Sequence, residues 1–360
     1  MLLSRLAQSK DNNFNIIRFI AASAVLFGHS FALLRQPEPL VQSLGMSIGA
    51  ISVDLFFVTS GFLVTGSLLS RKSISEYFWS RVLRIYPALI MMSLVTVFGL
   101  GVFFTSLPLK LYFQHPDTYS FLVKCSTVIG GISFYLPGVF ENNPYKGAVN
   151  GSLWSLVYEV KMYVVLALLW SVCGIRNNQR SKFVGYVIFI NIVIAGILLI
   201  WRRFHDFEES LLLRTDFMFF MGATFWVLKD KVYLSFRILV PIVVGLAISA
   251  LISHDVLFVA YQLTAAYILI YLAFVPAGII RKFNALGDIS YGMYIYAFPV
   301  QQSLIALIPG ISIFQLTTLS FGITVCFAYA SWHLLERRVL YLKGKLFQQE
   351  RRSEPKKLAQ

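Results

Sequence analysis

Two ionisable residues, Arg18 and His29, lie inside the first long apolar stretch of the chain, residues 14–34. On an α-helix their separation of eleven residues is three turns plus about 20°, so both side chains point from one face. The axial separation is about 16 Å. Ionisable groups at membrane depth are costly and usually face a protein interior or a water-filled cavity. A basic anchor and a titratable imidazole on one face therefore predict a site that holds an anion and moves a proton.

Carboxylates in two later apolar stretches are possible partners of this imidazole. Asp54 lies early in SVDLFFVTSGFLV, and Glu159 lies in NGSLWSLVYEVKMY. If the N-terminus is inside, both carboxylates and His29 fall in the outer half of the membrane. A carboxylate beside an imidazole favours its protonated form and fixes its tautomer, which suits a general base. The structural alternative is that the carboxylates pair with basic residues expected at a similar depth, Lys161 or Arg214.

Arginines at the predicted inner face form the second set of candidates. Arg81 and Arg84 lie in YFWSRVLRIYP, and Arg18 is expected at the same level. Arginine suits phosphate because its planar fork donates two parallel hydrogen bonds. A donor with phosphates at one end and a reactive group at the other, such as coenzyme A with its pantetheine arm, would bridge the distance to His29. The alternative is that these arginines are ordinary anchors at the inner headgroups.

The composition indicates a membrane protein. Of 360 residues, 57% are hydrophobic and 13% are charged, and the mean hydropathy is +0.70. Soluble domains have about twice that charged fraction. The three cysteines are scattered without a CxxC pair, and the sequence contains no P-loop, HExxH or GxGxxG, so no metal site is expected.

Ten windows are long enough to cross the hydrocarbon core, so the sequence predicts an all-α polytopic bundle. They are residues 14–34, 45–69, 82–105, 152–173, 183–201, 211–228, 238–253, 256–279, 288–309 and 312–335. With the N-terminus inside, 22 of the 31 Lys and Arg residues fall on the inner side, six on the outer side and three within spans. This bias predicts that both termini are cytoplasmic. It also accounts for the net charge of +14 without a nucleic-acid partner.

Three other segments complete the predicted organisation. A transmembrane domain is assigned to residues 1–340 and a disordered basic cytoplasmic tail to residues 341–360. The apolar stretch 121–140 contains Gly130, Gly131 and Pro137, so we expect a re-entrant or surface element there. The long loop at 106–150 is expected to contribute to the choice of acceptor.

Six motifs in order resemble the membrane acyltransferase-3 family, whose members modify bacterial surface and secreted glycans. The resemblance covers residues 13–339, nearly the whole chain. The motifs are FNIIRFIAASAVLFGH, SVDLFFVTSGFLV, RVLRIYP, NGSLWSLVYEVKMY, LGDISYGMYIYAFP and HLLERR. Each motif alone is weak, whereas all six in the same order are highly specific.

The resemblance implies ten transmembrane helices and the transfer of an acetyl group from cytoplasmic acetyl-CoA, or of another acyl group from its CoA ester, to sugar hydroxyls. It implies functional roles for the residues Arg18, His29, Arg81, Arg84 and Glu336. Ser290 and Tyr291, in the fifth motif, are assigned supporting roles, with a simple helix start as the alternative. Glu336 has a structural alternative too, in which it pairs with Arg337 or with a neighbouring basic loop. The chain departs from the family at Asn15, often an aspartate, and at Ala297, often a histidine.

The sequence thus predicts a multi-pass O-acyltransferase of the bacterial inner membrane. His29 would be the general base, Asp54 or Glu159 would orient the imidazole or bind sugar, and an acyl-histidine intermediate stays open. The partners would be acyl-CoA, a glycan or lipid-linked saccharide such as lipopolysaccharide O-antigen or exopolysaccharide, and the lipid bilayer. Two alternatives stay open: a transporter or flippase of an anionic or lipid-linked solute, and an assembly partner of a glycan polymerase. The sequence has no evident inverted repeat of the kind that transporters often contain.

Overall fold

The computed structural model describes residues 1–9, 11–70, 73–173, 180–205 and 207–341, and within them the fold is helical. The α-helices, in chain order, are α1 (Leu3–Ala7), α2 (Phe14–Leu33), α3 (Pro39–Leu44), α4 (Ile48–Ser70), α5 (Ile74–Val95), α6 (Gly101–Phe104), α7 (Leu109–Gln114), α8 (Pro116–Thr127), α9 (Trp154–Cys173), α10 (Arg180–Phe204), α11 (Leu211–Val227), α12 (Phe236–Ile252), α13 (His254–Phe274), α14 (Ser290–Leu307) and α15 (Ile313–Ser331). Two π-helical turns, Thr96–Leu100 and Trp332–Glu336, continue α5 and α15, and 3₁₀ turns occupy Gly151–Leu153 and Gly278–Leu286. No strand occurs in this part of the chain, and the predicted all-α class is confirmed. Apart from Tyr341, the predicted basic tail lies outside the described residues.

Seven helical segments of the described chain are long and apolar enough to span a membrane. They are Phe14–Leu33, Ile48–Ser70, Ile74–Phe104, Gly151–Ser171, Phe183–Phe204, His254–Phe274 and Ile313–Tyr341. The other three predicted windows coincide with α11, α12 and α14, which have 17 or 18 residues. A helix of that length rises about 26 Å, near the lower limit for the hydrocarbon core. The prediction of a polytopic helical membrane protein is confirmed, and the orientation of its termini stays a prediction.

The stretch expected to be re-entrant or superficial, residues 121–140, is helical only in its first part. α8 has 12 residues and rises about 18 Å, too short to cross the membrane. Val128 then adopts a left-handed φ of 60°, and largely irregular backbone follows. Phe121 and Cys125 are fully buried where α8 packs against α5. Burial raises the pKa of the Cys125 thiol to about 11.

The chain folds into two compact units, each built from two separate stretches of sequence. Unit 1 comprises Met1–Ser70 and Ser155–Asp288, and unit 2 comprises Arg71–Trp154 and Ile289–Gln360. The assignment of residues 1–340 to one transmembrane domain stays a prediction.

Helices α4 and α11 of unit 1 approach each other closely, because each presents a glycine to the other's backbone. A Cβ added to Gly61 would lie 1.8 Å from the carbonyl oxygen of Phe219. A Cβ added to Gly222 would lie 2.1 Å from the carbonyl oxygen of Val58. Both distances are far below van der Waals contact, so only glycine fits at either position. Small residues that let backbones approach are a common way to join helices within a membrane.

Amide side chains fasten the segment before α9 to α14 in unit 2. Gln302 donates from Nε2 to the carbonyl oxygens of Tyr145 and Ala148, at 2.9 and 2.7 Å. Asn143 donates to the carbonyl and the side-chain oxygens of Gln302, at 2.9 and 2.8 Å. Buried polar groups are stable only when they are hydrogen-bonded in this way. The end of the predicted acceptor loop is therefore held by α14 itself.

Asn150 supplies a hydrogen bond that α14 lacks because of a proline within the helix. Pro299 has no N–H, so the carbonyl of Ile295, four residues earlier, loses its helical partner. Asn150 donates from Nδ2 to that carbonyl at 2.9 Å. Its Oδ1 accepts from the backbone N–H of Ser152 at 3.2 Å and so caps the turn that leads into α9.

Candidate active site

The structure places Arg18 and His29 on one helix, α2. Their spacing puts both on the helix face that also carries Ala22 and Val25, which are buried. Arg18 forms an ion pair through Nη1 with Oδ2 of Asp288, and the two side chains are 21% and 15% exposed. Asp288 thus compensates the charge of Arg18 in the first half of α2, and the guanidinium stays partly exposed.

His29 lies one turn before the end of α2, where this helix packs against the start of α4. A Cβ on its neighbour Gly28 would lie 2.8 Å from Cγ2 of Ile48, so the two helices are in close contact here. The Nδ1 atom of His29 is enclosed by the protein. The imidazole is therefore held at the end of unit 1 where α4 begins.

Asp54 forms a buried ion pair with Arg214 of α11. Nε of Arg214 donates to Oδ1 and Oδ2 of Asp54 at 2.9 and 3.1 Å, and Nη2 donates to Oδ2 at 2.6 Å. The side chains are 1% and 5% exposed. Nη1 of the same guanidinium donates to Glu209. The structural alternative from the sequence, a pair between Asp54 and Arg214, is thus the arrangement observed, and both carboxylate oxygens receive bonds from the guanidinium.

Glu159 has different partners from Asp54. Its Oε1 accepts hydrogen bonds from the hydroxyls of Ser60, at 2.7 Å, and Tyr163. Ser60 follows Asp54 by six residues on α4, which is about 9 Å along the axis and about 120° around it. The two carboxylates offered as alternative partners of the imidazole are therefore bonded at different levels of unit 1. Lys161 points outward, with its ammonium 5.3 Å from the ring centre of Tyr158.

Unit 2 brings together three residues that the sequence singled out separately. Nη1 of Arg84 lies 3.3 Å from Oε2 of Glu336, and the side chains are 17% and 2% exposed. The guanidinium also lies over the rings of Tyr291 and Trp332, 5.8 and 5.7 Å from their centres. Ser331 donates to the other carboxylate oxygen of Glu336 at 3.0 Å. The carboxylate and the rings together hold the guanidinium in one place.

The remaining predicted residues lie close to this cluster in unit 2. Arg81, one turn before Arg84, donates from Nε to the hydroxyl of Ser80 at 3.3 Å. Ser290 is fully buried at the first position of α14. The hydroxyl of Tyr291 donates to the carbonyl of Ile85 at 3.0 Å and so joins α14 to α5. The supporting roles assigned to Ser290 and Tyr291 stay predictions.

Sequence reasoning missed Asp288, Ser60 and Tyr163. Asp288 stands in LGDISYGMY, three positions before Tyr291, and its charge in that motif was a usable signal for a basic partner. Ser60 and Tyr163 stand in motifs that were noted only for their carboxylates. A serine six residues from Asp54 gave no reason to expect a bond to Glu159, because that contact depends on how the helices pack.

The family assignment follows from comparison with known proteins. A family described as an acyltransferase domain matches residues 11–335, nearly the whole chain. The chain belongs to the acyltransferase-3 family. This acyltransferase is 30% identical over 345 residues to a protein named "O-acetyl transferase" of Shigella phage Sf6, covering 92% of the chain and 96% of the relative. It is 25% identical over 351 residues to "Nodulation protein 10" of Rhizobium leguminosarum bv. viciae, covering 93% and 95%. No solved structure matches the acyltransferase.

Within the described ranges, no three His, Cys, Asp or Glu side chains gather closely enough to hold an ion. The charged clusters described above pair guanidinium groups with carboxylates. The chain is therefore a multi-pass membrane acyltransferase.

Proposed function

We propose that the protein moves an acyl group, acetyl in the simplest case, from cytoplasmic acyl-CoA to a sugar hydroxyl of a cell-surface or exported glycan at the bacterial inner membrane. The observation that carries this proposal is the similarity to the O-acetyl transferase of Shigella phage Sf6, which extends over nearly both full chains. The family match and the membrane-spanning helices support it. The acceptor would be a lipopolysaccharide O-antigen, an exopolysaccharide or a lipid-linked saccharide.

His29 is the general base in this proposal. The neutral imidazole takes the proton of the acceptor hydroxyl while the hydroxyl oxygen bonds to the carbonyl carbon of the thioester. The carbon–sulfur bond then breaks, and the imidazolium returns the proton to the departing CoA thiolate. General base catalysis of this kind contributes about 10²–10⁴-fold to the rate.

Arg18, Arg81 and Arg84 are the proposed ligands of the donor phosphates. A guanidinium has five N–H donors, so an arginine can keep a carboxylate partner and still donate to phosphate. Asp288 and Glu336 would then be positioning residues that hold the forks of Arg18 and Arg84. The partial exposure of both arginines supports this assignment.

The role of His29 is tested by the ester content of the host glycan. Cells lacking the protein are complemented with wild type, His29→Ala or His29→Gln, and membrane protein levels are matched by blotting. Mass spectrometry should show loss of glycan esters with both variants. The matched control is His254→Ala, an exposed histidine of the same unit, which should restore full acylation. Unchanged acylation with His29→Ala would contradict the assignment of His29 as the general base.

The reaction itself is tested with purified protein in detergent. Acetyl-CoA labelled in the acetyl group and glycan stripped of esters by alkali are the substrates. Label should pass to the glycan with release of free CoA thiol. A transporter or an assembly partner would transfer no label, so a well-folded preparation without transfer would overturn the proposal for this donor and acceptor.

A further inference from the structure

A small pocket lies in unit 1 between the end of α10 and the start of α11. Its polar wall contains Arg202, Arg203, Glu209 and Ser210. The volume of the cavity is about 50 Å³. The floor is apolar and consists of Leu199, Leu213 and Phe258.

Arg202 contributes its side chain to the polar wall of this pocket. Its Nη2 donates to the carbonyl oxygen of Glu208 at 2.7 Å. Its Nε is buried and has no hydrogen-bond partner within the described part of the chain. Arg203, beside it, has Oδ1 of Asp255 2.7 Å from its Nε. A guanidinium has five N–H donors, so Arg202 can keep its bond to Glu208 and still donate to a ligand in the pocket.

An exposed aromatic platform borders the same pocket. The rings of Trp201 and Phe207 are stacked, with centres 5.2 Å apart and planes inclined by 28°. The guanidinium of Arg202 lies 5.4 Å from the centre of the Phe207 ring. Both aromatic side chains are about half exposed. A flat apolar surface beside planar hydrogen-bonding groups suits a sugar ring, which has an apolar C–H face and a rim of hydroxyls.

The charges around the pocket are largely compensated. Arg203 pairs with Asp255, and Arg214 joins Glu209 in the pocket wall to the buried Asp54. A site for phosphate would have an excess of positive charge. The balance here favours an uncharged ligand that exchanges hydrogen bonds with both guanidinium and carboxylate groups.

The pocket lies at the same end of unit 1 as His29. The floor residues Leu199 and Phe258 belong to an apolar cluster with Met46, which precedes α4. His29 lies where α2 packs against the start of α4, as shown by the contact of Gly28 with Ile48. The proposed base and the pocket therefore share one end of the helix bundle.

We propose that this pocket binds a neutral sugar unit of the acceptor glycan, with Arg202 and Glu209 bonded to its hydroxyls and Phe207 against its C–H face. Asp54 and Arg214 would be positioning residues, because their buried pair holds Glu209. This inference rests on the proposed function, since it names part of the acceptor site of the same reaction.

The test compares kinetic constants for the two substrates. Arg202→Gln and Phe207→Ala are made singly and together, with alkali-treated host oligosaccharide as the acceptor. The KM for the oligosaccharide should rise at least tenfold in the double variant, with the KM for acetyl-CoA unchanged. The matched control is Phe236→Ala with Arg237→Gln, an exposed Phe–Arg pair at the start of α12. In the control variant, the KM for the oligosaccharide and the KM for acetyl-CoA should both equal the wild-type values.

A binding measurement separates this inference from the proposed function. Saturation-transfer NMR in detergent, with the same oligosaccharide and no acyl donor, should show sugar signals for the wild type that the double variant loses. Loss of those signals supports the pocket even in a preparation that transfers no acetyl group. Wild-type signals in the double variant overturn it, while active transfer would leave the proposed function standing.

Discussion

The guanidinium of Arg84 and the carboxylate of Glu336 join residues 252 positions apart, with Nη1 and Oε2 at 3.3 Å. The first residue comes from the RVLRIYP motif and the second from HLLERR. Two motifs that the sequence could only list in order are thus one physical cluster in unit 2. Their pairing holds the guanidinium of Arg84 beside the buried carboxylate of Glu336.

Arg84→Lys should weaken donor binding more than it weakens the fold. Lysine keeps the charge but lacks the planar fork that binds phosphate through two parallel bonds. The KM for acetyl-CoA should rise at least tenfold, with protein yield close to wild type. Arg237→Lys, at an exposed position, should leave that KM unchanged. An Arg84→Lys variant with the wild-type KM would assign Arg84 a purely structural role.

Asp54→Asn should destabilise unit 1 severely, because it leaves the charge of Arg214 buried without its main partner. Removing one member of a buried ion pair typically costs about 3–5 kcal/mol. Thermal unfolding in detergent, followed by a thiol- or tryptophan-based probe, should show a clear decrease in Tm. The exposed Asp230→Asn is the control and should change the Tm little. Equal Tm values for the two variants would contradict the importance of the pair.

Gly61→Ala and Gly222→Ala should each prevent normal folding. The added methyl group would meet a carbonyl oxygen of the facing helix at about 2 Å, and backbone atoms cannot move aside as a side chain can. The measurement is the monodisperse fraction in size-exclusion chromatography. Gly245→Ala and Gly322→Ala are matched controls, since nothing lies within 4 Å of a Cβ at either helical position. Controls as damaging as the tests would mean that the contact is not the cause.

Cys125 should react slowly with thiol reagents, because burial raises its pKa to about 11 from an ordinary value of 9.0. At pH 8 only about one thiol in a thousand is then ionised, and only the thiolate reacts. The buried neutral thiol adds stability that is fully present below pH 9 and is lost as the pH rises towards 11. Maleimide labelling at pH 8, with Cys173 and Cys326 replaced by alanine, should be at least 100-fold slower than at Ile129→Cys, an exposed position of the same loop.

The predicted orientation can be tested with single cysteines in a chain otherwise free of cysteine. Ile129→Cys lies in the loop expected outside, and Tyr233→Cys lies in a loop expected inside; both positions are exposed. A membrane-impermeant maleimide added to intact cells should label the first and spare the second. After lysis both should react. Labelling of Tyr233→Cys alone in intact cells would reverse the assignment of both termini.

The helices could be predicted because apolar length and basic flanks are properties of the local sequence. All ten windows coincide with helices, even though α11 and α12 are short. The helical spacing also correctly put Arg18 and His29 on one helix. The π-helical turns after Val95 and Ser331 could not be predicted from the sequence. Such a turn contains one extra residue, and whether it forms depends on tertiary packing around the helix.

The partners of the charged residues could be predicted only in part. Complementary charge and similar depth were enough to offer Arg214 as a partner of Asp54. The same reasoning offered a basic residue for Glu159, which instead bonds to the hydroxyls of Ser60 and Tyr163. Hydroxyl groups carry no charge pattern, so their contacts depend on which helices pack together. Asp288 was overlooked because its motif was treated as a helix start.

The way each unit is assembled from separated stretches bears on how the protein is made. Residues 71–154 leave the ribosome before residue 155, yet the rest of their unit begins only at Ile289. During synthesis the guanidinium of Arg84 therefore lacks its carboxylate partner until Glu336 has been translated. A chaperone or insertase that shields α5 over that interval would protect this segment. Nascent chains arrested before residue 336 should accordingly be the species that membrane quality control captures.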